Sequence, residues 1–146
     1  MDWLEGGTGL AVYLSLKLGG YLVWSWAGVK LLGRTRRPVR MAALLGLVRL
    51  VIGWVTGLAV APLAIVAVTT DRVPTFYFTA VAIVRWFEWG AIQVLIPGGQ
   101  ERKLRVFFTS ASGRGCLWRV AGIVVSYLAD APFLLASGFP RGRIFC

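Results

Sequence analysis

Leu44-Leu45-Gly46-Leu47-Val48-Arg49-Leu50-Val51-Ile52-Gly53-Trp54-Val55-Thr56-Gly57-Leu58-Ala59-Val60-Ala61-Pro62-Leu63-Ala64-Ile65-Val66-Ala67-Val68 carries one charge, Arg49, in 25 residues. A helix needs about 20 mainly apolar residues to cross ~30 Å of hydrocarbon, so this run reads as a transmembrane helix. Three similar runs flank it, at about 10–32, 76–96 and 117–139. The joints fit: Arg34-Thr35-Arg36-Arg37-Pro38 is polar and proline-broken, Thr70-Asp71-Arg72-Val73-Pro74 is a turn, and Pro97-Gly98-Gly99 stops the third run. Hydrocarbon offers no partner to open backbone groups, so helices must carry these runs. The expected fold is an all-α integral membrane protein with four transmembrane helices in a compact bundle. It forms one domain over residues 1–146, with a basic interfacial loop at 100–116.

Composition agrees, with 58% hydrophobic and 15% charged residues and a mean hydropathy of +0.73, far from the quarter or so of charged residues usual in water. Asp2 and Glu5 stand where a cleavable signal would place Lys or Arg, so the N-terminus is expected to stay attached. The chain has no histidine, which removes imidazole-held haem, histidine zinc sites and histidine general bases. Cys116 and Cys146 form no CxxC pair, and the topology puts them on opposite sides, so no disulfide, metal or other cofactor is expected.

Cations set the orientation. Lys30, Arg34, Arg36, Arg37 and Arg40 crowd the first joint, and Arg102, Lys103, Arg105 and Arg114 the third. The positive-inside rule makes both joints cytoplasmic and both termini external in a multi-pass protein of the cell membrane, with Arg141 and Arg143 pulling weakly the other way. Trp3 and Phe76-Tyr77-Phe78 fall at the outer interface and Trp118 at the inner one. In the segment 100–116, Arg102, Lys103 and Arg105 alternate with Leu104, Val106, Phe107 and Phe108, as expected of a stretch lying on anionic lipid. Lipid attraction accounts for the net charge of +10 without nucleic acid.

A shift of about 70 residues aligns Arg49 with Arg119 and Leu58-Ala59-Val60-Ala61-Pro62-Leu63 with Leu128-Ala129-Asp130-Ala131-Pro132-Phe133. The first and third runs align poorly, so a duplication and a chance match of apolar helices both stay open. A duplication would give two parallel-repeated helical hairpins about a pseudo-twofold axis. Arg49 and Arg119 each begin a run on the inner side, and both are expected to reach lipid headgroups. Pro62 and Pro132 free a carbonyl one turn upstream. Gly53 with Gly57, and Gly122 with Ser126, are small-xxx-small pairs suited to close helix contact. Of the tryptophans inside the runs (Trp24, Trp26, Trp54, Trp86, Trp89), filling helix interfaces is the expected duty, ahead of an apolar ligand pocket.

Lys17, Arg85, Glu88 and Asp130 lie too deep to reach water. A bare charge at mid-span costs about 2.5–3.5 kcal/mol, so they should face inward and meet in one polar cluster, with Arg85 and Glu88 paired three residues apart on one helix. A ligand site and a purely structural ion-pair network explain such a cluster equally well. No HExxH, phosphate loop or paired-aspartate signature accompanies it. The leading expectation is a non-catalytic subunit or scaffold whose partners are the bilayer, other membrane subunits or a second copy of itself. A small transporter, channel or lipid carrier with a site at Lys17, Arg85, Glu88 and Asp130 comes next. An intramembrane lipid-modifying enzyme using Glu88 or Asp130 comes last.

Overall fold

The computed structural model describes residues 7–33, 35–69, 73–97, 103–109 and 112–137. Among them the regular structure is helix alone: α1 (Gly7–Leu32), α2 (Pro38–Thr69), α3 (Val73–Leu95), a short α4 (Lys103–Thr109) and α5 (Gly113–Ser137). Pro38 opens α2, where its fixed φ and missing N–H cost nothing. α2 then continues through Pro62. Two segments, Pro38–Pro62 and Phe78–Leu95, are long and apolar enough to cross a membrane.

α1 packs on α2 and α5, and α3 on the same two helices, so α1 and α3 stand at opposite corners of a four-cornered bundle. Neighbours run antiparallel, as the cross-contacts of α1 with α5 show: Tyr13 meets Asp130, and Trp24 meets Trp118. The end of α1, the start of α2, the end of α3, all of α4 and the start of α5 therefore share one end of the bundle. This end carries Lys30, Arg36, Arg37, Arg40, Arg105 and Arg114 among the described residues.

Polarity is inverted relative to a water-soluble bundle. The core of Tyr21, Val29, Leu45, Trp89, Ile92, Ile96 and Trp118 is interleaved with buried Lys17, Arg49, Arg85, Glu88, Gln93, Arg119 and Asp130. The outside shows Val23, Leu31, Val51, Val55, Leu58 and Leu117, each more than 60% exposed. Helical spacing explains this: Arg119, Gly122, Ser126 and Asp130 recur on one face of α5, Arg49, Gly53 and Thr56 on one face of α2, and Tyr13, Lys17 and Tyr21 on one face of α1. These polar and small stripes turn inward.

Gly122, expected to bring helices together, serves as a socket for an indole, and Gly28, not singled out from the sequence, serves as another. A Cβ on Gly122 would stand 2.8 Å from the Trp89 ring, and one on Gly28 2.5 Å from Trp118. Ser126 accepts a hydrogen bond from Trp89 Nε1 at 3.3 Å. Trp118, expected at an interface, is buried, because Trp24 Nε1 donates to its carbonyl at 3.0 Å while its own Nε1 donates to that of Trp24 at 3.2 Å. Trp89 is likewise buried, whereas Trp26 and Trp54 are about half exposed. Of the two cysteines, Cys116 is a half-buried free thiol. Cys146, Trp3, the Asp71–Arg72 turn and the tail arginines lie outside the described residues.

Candidate functional site

Three polar tiers stack along the bundle. In the tier farthest from the basic end, Asp130 of α5 gathers two cations. Its Oδ1 lies 3.0 Å from Lys17 Nζ of α1 and accepts a hydrogen bond from Tyr13 Oη at 3.1 Å, and its Oδ2 pairs with Arg85 Nη2 of α3. Aromatic faces cover both cations, with Lys17 Nζ 4.7 Å from the Tyr13 ring centre and the Arg85 guanidinium 4.4 Å from that of Tyr127. Three of the four residues expected in one cluster therefore do meet, drawn from three helices.

The fourth, Glu88, belongs to the next tier. Its Oε2 lies 2.5 Å from Arg49 Nη2 and its Oε1 accepts from the Thr56 hydroxyl. The Arg49 guanidinium lies 4.7 Å from the Tyr21 ring centre and 5.2 Å from that of Trp89, so π-faces of α1 and α3 flank it. Arg49 does not reach lipid headgroups: it is 1% exposed. The reason is register. The apolar run starts at Leu44, but α2 starts at Pro38, so Arg49 sits about 17 Å along the helix rather than at its mouth.

Arg119 forms the third tier and differs from expectation in the same way, being fully buried. Its Nε donates to Gln93 Oε1 at 2.6 Å, Nη1 to the Phe107 carbonyl at 3.0 Å, and Nη2 to the Val106 carbonyl. These carbonyls belong to the last turn of α4, which has no helical N–H left to bond them. Trp86 Nε1 takes a third, that of Phe108, at 2.9 Å. Arg119 thus fastens α4 across the ends of α3 and α5. Gly90 makes room for the joint, since a Cβ there would stand 2.7 Å from the Phe107 carbonyl. In the segment expected to lie on lipid, Arg105 and Phe108 are exposed while Val106 is buried. Arg102 and the side chain of Lys103 lie outside the described residues.

Between α2 and α3, beside the middle tier, lies a cavity of about 40 Å³ lined by Arg49, Gly53, Thr56, Gly57, Arg85 and Glu88, with Tyr21 of α1 and valines completing its wall. At roughly 10–15 Å³ each, about three water molecules fit. It joins the two ionic tiers, because Arg85 belongs to one and Glu88 to the other. Thr56 is the residue that sequence reasoning missed here. Its signal was the i, i+4, i+7 placement of Arg49, Gly53 and Thr56 on one face of an otherwise apolar helix. Among the described residues no group of three acidic or cysteine side chains is arranged to hold a metal ion.

Comparison of the chain with protein-family models, with curated proteins and with solved structures finds no match.

Proposed function

We propose that the chain is an integral membrane protein whose α1, α2, α3 and α5 cross the bilayer, with α4 at the cytoplasmic interface, and that the bundle holds and carries a small polar ligand without transforming it. The observation that carries this reading is the inverted polarity: a bundle with a leucine- and valine-covered exterior, and a cavity that opens onto its buried charges. Exposed to water, such an exterior would forfeit about 25 cal/mol for each Å² of apolar surface, a loss that hydrocarbon removes. The four long helices, of 26, 32, 23 and 25 residues, have the length for crossing, and two of them, over Pro38–Pro62 and Phe78–Leu95, have the apolarity as well. Gathering of the basic joints at one end supports a cytoplasmic placement of that end.

The ligand-holding part draws its support from where the charges are spent. Asp130 pairs with Lys17 and Arg85, and Glu88 with Arg49, within the chain, so both carboxylates are satisfied without a partner subunit. Carboxylates already occupied by guanidinium and hydroxyl donors are poorly placed as acid–base catalysts, which supports holding over chemistry. Reconstitution of the purified chain into proteoliposomes tests the reading. Uptake of at least one small ion above protein-free vesicles, reduced by Glu88→Gln, is expected; vesicles as tight as protein-free ones to every ion tried would overturn a carrier. Maleimide labelling of Arg36→Cys and Ser112→Cys from a single side tests the topology, and opposite accessibility would refute it.

A second reading, a non-catalytic subunit or scaffold of a larger membrane assembly, is favoured by one feature. The outer face of α2 presents a shallow groove of Leu50, Val51, Trp54, Val55 and Leu58 with no polar lining. Acyl chains fill such a groove as well as a helix does. A detergent-purified species of monomer mass would decide against the subunit.

A further inference from the structure

We infer that the cavity between α2 and α3 binds a small monovalent anion, of the size of a halide or nitrate, against the Arg49 guanidinium. The inference rests on the ligand-holding reading above and names the class of ligand.

Three observations converge on it. First, Arg49 is bonded to carboxylate through Nη2 alone, while its buried Nε and Nη1 have no hydrogen-bond acceptor. The Tyr21 and Trp89 rings cover the guanidinium electrostatically, but ring faces are weak substitutes for an in-plane acceptor. Second, among the described residues the two tiers beside the cavity bury three cations, Lys17, Arg49 and Arg85, against two carboxylates, Glu88 and Asp130, so cations outnumber anions there by one. In a low-dielectric interior such a surplus draws a counter-ion. Third, the room lies where an anion needs it. A Cβ on Gly53 would stand 3.0 Å from Arg49 Nη1, so the glycine leaves open the space beside the unbonded donor, and Gly53 and Gly57 both line the cavity.

The same wall selects against other ligands. A cation would face Arg49 and Arg85, and would have to compete for Glu88, whose two oxygens are taken by Arg49 and Thr56. Space for about three water molecules admits a halide or a nitrate. It leaves no place for the ester arms of a lipid phosphate.

The test uses the full chain in nanodiscs of phosphatidylcholine alone, with gluconate as the only anion, an ion too large for the cavity. Bromide and nitrate are added at constant ionic strength and the thermal unfolding midpoint is followed. Binding to the folded state raises it with the logarithm of concentration once the site fills. The expected result is a rise with bromide and with nitrate, with Gly53→Ala weakening the apparent affinity at least tenfold. Arg49→Lys, which keeps the charge and loses the planar fork, should do likewise. Gly19→Ala, whose Cβ meets nothing within 4 Å, should behave as wild type. Equal midpoints in bromide and gluconate overturn the proposal, as does a bromide response that Gly53→Ala leaves intact. Should either variant fail to fold, the wild-type comparison still decides. Stabilisation by sodium or sulfate that Gly53→Ala abolishes would overturn the anion class and leave the ligand-holding bundle standing; no response to any probe overturns both.

Discussion

Arg49 and Arg119 stand about 70 residues apart at matching places of two similar helices, yet the molecule neutralises them by opposite means. Arg49 is held by a carboxylate and two aromatic faces. Arg119 is held by an amide oxygen and two backbone carbonyls, with the Trp86 ring beside it. The first arrangement cancels charge with charge. The second spreads it over dipoles, those of the last turn of α4, where the helix is electronegative in any case. If the halves descend from one hairpin, the partners have diverged: both arginines bond to α3, whereas a true pseudo-twofold would send Arg119 to α1. The bundle thus has a charge-paired region, made of Asp130, Lys17, Arg85, Glu88 and Arg49, and a dipole-matched region around Arg119, Trp24 and Trp118. Deleting a carboxylate should cost far more than deleting a neutral partner.

The largest effect is expected at Asp130, which serves two cations at once. Asp130→Asn removes the buried negative charge that Lys17 and Arg85 share and should destabilise the bundle by about 3–5 kcal/mol, the usual cost of breaking a buried pair. Thermal unfolding in detergent reads this. Adding Lys17→Met to Asp130→Asn should recover part of the loss, with a coupling on the order of 0.5–3 kcal/mol. A double variant no better than the single one would show that Lys17 is not held by this carboxylate.

Glu88→Gln comes second. The amide keeps a bond to Thr56 and one to Arg49, and the rings of Tyr21 and Trp89 stay against the guanidinium. The expected cost, near the lower end of the 3–5 kcal/mol range for a broken buried pair, is therefore smaller than that of Asp130→Asn. An equal or larger cost would mean that the aromatic flanks contribute nothing.

Most of the fold can be read in the chain as written, and the reasons are physical. Unbroken apolar length and proline or glycine stops locate helices to within a few residues, and α1 and α3 begin and end near the expected limits. Partner choice was less legible. Three-residue spacing suggested that Glu88 would pair with Arg85, but at equal cost a carboxylate also reaches a cation on the facing helix, and only packing selects between them. Hydropathy puts Arg49 and Arg119 at helix mouths because it marks where an apolar run starts, not where a helix does. α2 and α5 each begin earlier, with Pro38 and Gly113, and polar first turns conceal a helix from a hydropathy reading. The clearest unused signal was the inward polar stripe Arg119-Gly122-Ser126-Asp130.

In the dipole-matched region the effects should shrink. Gln93→Ala removes the acceptor for Arg119 Nε but leaves both carbonyls of α4 in place. The loss should be about 1.5–3 kcal/mol, as for one hydrogen bond to a charged group. Faster amide exchange in α4 would accompany it, because the same arginine fastens that helix. A cost as large as that of Glu88→Gln would erase the distinction between the two regions.

The smallest effect is expected at the reciprocal indole pair. Trp24→Phe deletes one interhelical hydrogen bond, from Nε1 to the Trp118 carbonyl, and leaves its mirror, from Trp118 Nε1 to the carbonyl of residue 24, because that acceptor is backbone. A neutral side-chain hydrogen bond contributes about 0.5–1.5 kcal/mol, so the midpoint should fall only slightly if the smaller ring repacks. Trp118→Phe makes the converse cut, but its indole also fills the space over Gly28 and meets Trp89 edge to face at 5.2 Å between ring centres. It should cost more by the lost packing, and Gly28→Ala, which thrusts a methyl into that indole, should reproduce most of the difference. If the two tryptophan variants were equally mild, hydrogen bonding rather than filled volume would hold this end of the bundle, and its neutral partners would matter more than the comparison with Asp130 allows.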